Sequence, residues 1–378
     1  VILLTASTAL PALLPVPKIP TPGGSLKVGT TIFELTDESR REIYSGVDEP
    51  RKFMVQMWYP ANPLPENKTS PWMSRADIYG PAISTFLKLP PFFLDHLALA
   101  NTPAYTDAPM AETDTPYPVI LFSHGWDGFN AQNSGQMVQL ASHGYVVVAV
   151  NHTYGAVATI FPDGKIAYNN PNALPEGVPD DEYEIAARKL VNQWAGDIAF
   201  TLGNLGIWNS DIRGSYYSKL DFNRIGVYGH STGGGAAIQF CGADSRCKAL
   251  LGMDPFMRPV SAEVLADGVS QPAFFMFSQG WADLVDSKNN QLFDQFYPKV
   301  SDSKGAIKIQ GTKHYDFSDL PLLSPIAPQL GLKGPLNGKR VTEIVDAYLV
   351  EFFEMALNGK PSDLFDGSFT DFPEVKLK

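Results

Sequence analysis

Cysteine is nearly absent from this chain: its 378 residues include only Cys241 and Cys247. Two thiols with no histidine beside them exclude a zinc site of the usual spacing and a fold built on disulfides. The intervening Gly242 to Arg246 leaves two readings open, one structural disulfide or two inert, half-buried thiols. Positive charge is short as well. Lys and Arg total 29 against 40 Asp and Glu, a net charge of −11. With no basic stripe to offset that field, nucleic acid is excluded as a partner, while an uncharged lipid or ester is not. Charged residues make up only 18% and hydrophobic residues 44%, which excludes a disordered chain. Internal repeats and low-complexity tracts are missing, and nothing beyond the first residues reads as a membrane-spanning run.

Those first residues are unusual. Positions 1–14 are apolar or small, the first charge is Lys18, and Pro11, Pro15 and Pro17 break any helix. The run is too short to span a bilayer, which takes ~20 residues. The arm 1–24 is expected to be either the remnant of a signal or membrane anchor, placing the protein outside the cytoplasm as a secreted or tethered molecule, or an apolar arm packed on the domain.

Glycine (32) and proline (31) are abundant, so many short elements joined by loops are expected. Lys27 to Leu35 and Phe53 to Tyr59 alternate as two strands of an antiparallel hairpin. A proline-punctuated stretch at about 61–117 follows, with the apolar run Phe86 to Leu94, and reads as an insertion in a single domain at 25–378. From Val119 the pattern changes. Continuous apolar runs at 119–122, 146–150, 224–228, 249–253, 273–277 and 306–309 alternate with helical stretches at 131–142, 182–205, 233–240, 287–296 and 340–357. Runs of that kind belong to strands buried on both faces, hence to a mostly parallel sheet covered by helices.

One motif carries chemistry in that frame. Gly229-His230-Ser231-Thr232-Gly233 sits between a buried strand and a Gly/Ala-rich helix, the context of a nucleophile elbow. A strand that turns so sharply into a helix tolerates only small residues two places either side of the serine. Serine needs a histidine to take its proton and a carboxylate to orient that histidine. His314 stands after the last apolar strand, where the chain order serine, acid, histidine places the base. His230 lies within the elbow with its ring expected to point away from the serine's pocket; His143 and His152 lie in early loops, and His96 lies in the insertion. For the acid, Asp254 directly ends the strand 249–253 and is favoured, with Asp283 and Asp286, one strand later, competing. Two backbone N–H groups would bind the developing oxyanion: that of Thr232 and that of Trp126, which follows Phe122-Ser123-His124-Gly125. His124 is expected to brace this loop.

These segments, with Leu140 to Tyr145, Met253-Asp254 and His314 to Asp319, resemble the α/β-hydrolase superfamily and, within it, the platelet-activating-factor acetylhydrolase group. The resemblance implies an α/β-hydrolase fold with a triad of Ser231, Asp254 and His314, Trp126 in the oxyanion hole, and hydrolysis of short-chain or phospholipid-type acyl esters without metal or organic cofactor. Two other functions remain: a polyester hydrolase or cutinase-like enzyme or lipase, whose acid would come from the Asp283 loop, and a non-catalytic binding protein on the same scaffold. The apolar insertion is expected to serve as a lid, an acyl-pocket wall or a lipid-interface patch, or simply to pack on the sheet.

Overall fold

The structure, a computed structural model, describes residues 15–322, 327–329, 331–365 and 372–378. Of the apolar arm, residues 1–14 lie outside that description. The chain opens with β1 (Val28–Arg41) and β2 (Pro50–Pro60), then β3 (Thr69–Pro71), α1 (Ala76–Phe86), β4 (Asn101–Thr106), β5 (Tyr117–Ser123), α2 (Ser134–Ser142) and β6 (Val146–Asn151). A small ribbon, β7 (Ala158–Ile160) and β8 (Ile166–Tyr168), precedes α3 (Asp180–Ser210), β9 (Leu220–His230), α4 (Thr232–Ala243) and β10 (Ala249–Met253). The remainder is α5 (Ala262–Asp267), β11 (Ala273–Ser278), α6 (Gln279–Ala282), α7 (Lys288–Phe296), β12 (Ser303–Ile309), α8 (Gly338–Asn358) and β13 (Val375–Leu377).

The main sheet runs β13-β12-β11-β10-β9-β5-β6-β2-β1-β4-β3. From β6 to β12 neighbouring strands are parallel. The expected opening hairpin is antiparallel, with Phe33 opposite Val55, and joins the sheet through β2 against β6. The apolar runs are buried on both faces, as a parallel sheet requires. On β6, Val146, Val148 and Val150 point to the layer of α3, α4 and α7, whereas Val147 and Ala149 point to the layer of α2 and α8. Each fully buried Val or Phe contributes about 1.5–3 kcal/mol relative to exposure.

Residues 61–117 are more regular than their prolines suggest. They form β3, the helix α1 with Pro81 inside it, a 3-10 turn at Pro91–Leu99, and β4, which pairs parallel to β1. The apolar run Phe86 to Leu94 is the end of α1 and the start of that turn. Trp72, Met73, Tyr79, Leu94 and Leu97 form a third core cluster with Phe129, Val157 and Ile19 of the N-terminal arm. This layer covers the C-terminal edge of the sheet, where the strand-ending residues converge. Cys241 and Cys247, at the far end of α4, form a disulfide.

Candidate active site

Ser231 sits between β9 and α4 with φ 57° and ψ −120°, a strained conformation for a residue with a side chain. Its surroundings hold it there. The Ser231 N–H donates to the Met253 carbonyl at 3.0 Å, and its own carbonyl accepts from Gly235 and Phe256. Glycine is required on both sides: a Cβ at Gly229 would lie 2.2 Å from the Gly233 carbonyl oxygen, and one at Gly233 would lie 2.0 Å from that of Ser123.

Asp254 leaves the C-terminal end of β10 with φ 44°, which turns its fully buried carboxylate along the sheet edge. The Nδ1–H of His314 donates to Asp254 Oδ2 at 2.9 Å. Ser278, at the end of β11, donates its backbone N–H to Oδ1 at 2.8 Å and its hydroxyl to Oδ2 at 2.6 Å. Burial pushes the Asp254 carboxyl up to about 7, opposed by the Ser278 bonds. Burial also lowers the His314 imidazole, which keeps the ring neutral and able to accept a proton. The ring is clamped between Trp281, stacked at 4.4 Å and 14°, and His230, at 4.4 Å.

His230 departs from the sequence expectation. Its ring faces the site, lining the same cavity as Ser231, and its Nε2–H donates to the His314 backbone carbonyl at 3.0 Å. A local strand-to-helix pattern cannot reveal that contact, because the loop at 314 follows β12, three strands away in the sheet. His230, Asp254 and His314 lie close enough for a set of metal ligands. The bonds just described already engage Asp254 Oδ2, His314 Nδ1 and His230 Nε2, so hydrogen bonding knits the cluster. Asp283 and Asp286 are exposed; Asp283 pairs with Lys308 at 3.0 Å, and neither meets His314. Ser278 and the stacking role of Trp281 were not singled out from sequence. The only signal was their place at the end of the strand after Asp254.

Gly125 brings the loop after β5 against the elbow: a Cβ there would lie 3.2 Å from Ser231 Cβ. Neither the Trp126 nor the Thr232 N–H bonds a protein acceptor among the described residues. His124 is buried and holds this loop by its Nδ1–H to the Gly125 carbonyl at 2.7 Å. Above Ser231 lies a cavity of about 290 Å³, walled by Trp72, Met73, Ile83, Phe86, Leu87 and Leu97 from the insertion and by Phe129, Tyr315 and Leu320. One strap joins that wall to the histidine loop: the Trp72 indole N–H donates to Asp319 Oδ2 at 3.0 Å. Asp319 also accepts from the Gly135 N–H at the start of α2.

Known proteins share this architecture. The family model for platelet-activating factor acetylhydrolase, isoform II matches residues 15–198 and 208–368. A platelet-activating factor acetylhydrolase of Cavia porcellus is 29% identical over 273 residues, 68% of this chain and 61% of that protein, less than two thirds of its length. The acetylhydrolase of Bos taurus is 26% identical, covering 90% of this chain and 77% of its own. A probable 1-alkyl-2-acetylglycerophosphocholine esterase of Arthroderma benhamiae is 24% identical over 94% of this chain and 92% of its own. Among solved structures, a ferulic acid esterase from Streptomyces cinnamoneus superposes with a TM-score of 0.76 at 24% identity, over 96% of this chain and 99% of that one, a likeness of fold. With the α/β-hydrolase sheet in place and most of its length matched, the chain belongs to the platelet-activating factor acetylhydrolase, isoform II family.

Proposed function

We propose that this protein is a serine-dependent carboxylic ester hydrolase acting on short-chain or phospholipid-type acyl esters through an acyl-enzyme. Residues 25–378 serve as one catalytic domain, with 61–117 as its insertion. The observation that carries the reading is the 2.9 Å bond from His314 to the buried Asp254, set beside a serine held in a strained elbow at the base of an apolar cavity.

Ser231 Oγ attacks the ester carbonyl while His314 Nε2 removes its proton. Asp254, fixed by Ser278, holds the Nδ1–H tautomer and stabilises the imidazolium. The Trp126 and Thr232 N–H groups, the latter at the first turn of α4, bind the oxyanion. His314 then protonates the leaving alcohol, and water admitted to the same position deacylates Ser231. Ile83, Phe86 and Leu87 limit the acyl chain, which favours short or truncated groups. Phe92 and Leu99, 70% and 66% exposed on the turn that follows α1, offer apolar contact to a lipid surface. A disulfide suits an extracytoplasmic location, and no helix among the described residues is long and apolar enough to cross a membrane.

The test is the initial rate on p-nitrophenyl acetate, butyrate and octanoate, with Ser231→Ala and a fluorophosphonate label. Activity is expected to be highest on the short esters and to vanish in the variant. A protein that cleaves none of them and takes no label on Ser231 is instead a binding scaffold.

A further inference from the structure

A second chain of serine, histidine and aspartate lies behind the first. Ser123 Oγ–H donates to His152 Nε2 at 2.9 Å, and His152 Nδ1–H donates to Asp197 Oδ2 at 2.9 Å. All three residues are fully buried, so this serine meets no substrate. Asp197 lies on α3 and is locked by Arg51, 2.6 Å away, and by Arg40, at 2.9 Å. The His152 ring stacks on Trp194 of the same helix at 4.2 Å and 5°. His152 is therefore an immobile post.

His124 is tied to that post. The His152 backbone N–H donates to His124 Nε2 at 3.1 Å. Since a backbone N–H can only donate and a carbonyl can only accept, the ring must be neutral with its proton on Nδ1. That proton goes to the Gly125 carbonyl, which also accepts from Gly128 at 2.9 Å. The Gly125 carbonyl and the Trp126 N–H belong to one planar trans peptide, so fixing the oxygen aims the N–H in the opposite direction. Glycine on one side of this peptide makes it otherwise easy to rotate.

We propose that His124, anchored on the buried His152–Asp197–Arg51 chain, is the positioning residue that orients the Gly125–Trp126 peptide as an oxyanion donor. The inference rests on the serine-hydrolase reading above and deepens it. The preorganisation is electrostatic: the donor is already aimed before charge develops on the substrate oxygen. His124 itself touches no reacting atom.

Two variants separate the two ends of the ring. His124→Gln keeps a side-chain acceptor within reach of the His152 N–H and loses the donor to Gly125. His124→Asn keeps a donor at the Nδ1 position and loses the tie to His152. With active sites counted by fluorophosphonate titration, His124→Gln is expected to lower kcat on p-nitrophenyl butyrate about 10–100-fold, approaching the loss of a whole oxyanion donor. KM should change less than about twofold, since the interaction strengthens only in the transition state. Affinity for a trifluoromethyl ketone, which forms the tetrahedral adduct, should fall by the same factor as kcat/KM. His124→Asn, which keeps the bond to Gly125 without the anchor, should recover only part of kcat, to about 3–10-fold below wild type; it carries the test alone if the glutamine variant does not fold, and then a kcat equal to wild type, or one depressed as far as about 100-fold, overturns the proposal. An active wild type with kcat unchanged in His124→Gln, or with kcat lowered while ketone affinity holds, also overturns it. A wild type that neither hydrolyses ester nor takes the label overturns the functional reading instead.

Discussion

Replacing Asp254 by asparagine tests the site more sharply than removing the serine, because the structure fixes which way the new amide must point. The Ser278 backbone N–H, 2.8 Å from Asp254 Oδ1, can only donate, so the asparagine oxygen has to occupy that position. Its NH₂ then replaces Oδ2, facing Ser278 Oγ and His314 Nδ1. An amide donor cannot meet Nδ1–H, so His314 is forced into the Nε2–H tautomer. In that form it cannot accept the serine proton. The expected loss in kcat is about 10³–10⁴-fold, or about 4–6 kcal/mol of transition-state stabilisation at ~1.4 kcal/mol per decade. Folding should not suffer. Burial raises the Asp254 carboxyl to about 7 in the folded state, from an ordinary value of 3.8. Ionising it in place therefore costs stability as pH rises between those values. The asparagine variant should have a higher Tm than wild type above pH 7, with the difference fading towards pH 4. Steady-state kinetics on p-nitrophenyl butyrate, corrected by active-site titration, with calorimetry at both pH values, reads both effects. Asp283→Asn serves as the control and should retain full activity, since Asp283 pairs with Lys308 at the surface. Asp254→Asn keeping more than about a tenth of the wild-type kcat, or Asp283→Asn losing it, would refute the assignment.

The pH profile of kcat/KM should fall with a single proton below about 7; that limb belongs to the Asp254–His314 pair as a unit, and a profile flat to pH 5 contradicts it. Trp281→Leu removes the face on which His314 stacks, and kcat should drop about 10–100-fold through a misplaced base, with Tm and titrated site number nearly unchanged; equal activity would show the stack to be passive. Replacing both Cys241 and Cys247 by serine reopens a short loop, costing about 2 kcal/mol in urea unfolding. It should leave kcat intact, because Cys241 lies about 15 Å along α4 from Ser231 at ~1.5 Å per residue.

Features set by neighbouring residues were legible from sequence. The glycines at 229 and 233 announce the elbow because the clash they avoid involves backbone a few residues away. Asp254 is legible because it directly ends an apolar run. What escaped depends on contacts distant along the chain. β1 extends past its expected end at Leu35 to Arg41 through a charged stretch, in which Arg40 pairs with Asp37 and with Asp197, 157 residues away in sequence. β4 contains Pro103 and shows little alternation, yet it pairs with β1 from Val28 to Thr30. α1 was hidden by Pro81, whose missing N–H costs less in a short helix packed over a cluster of aromatic residues than in an isolated one. Ser278 and the inward turn of His230 follow from the order of strands in the sheet, which no local pattern encodes.

The bond between Trp72 and Asp319 bears on how the protein meets an aggregated substrate. It is buried, and Asp319 is held at the same time by the N-terminal turn of α2, so the aromatic wall cannot swing outward without disturbing the segment that carries His314. An enzyme with such a wall has nothing to unlatch when it reaches a lipid–water boundary. Its velocity on a soluble ester should rise along one hyperbola straight through the concentration at which that ester forms micelles, with no lag and no jump. Dispersed and aggregated molecules of the ester would then meet the same preformed cavity and be hydrolysed alike.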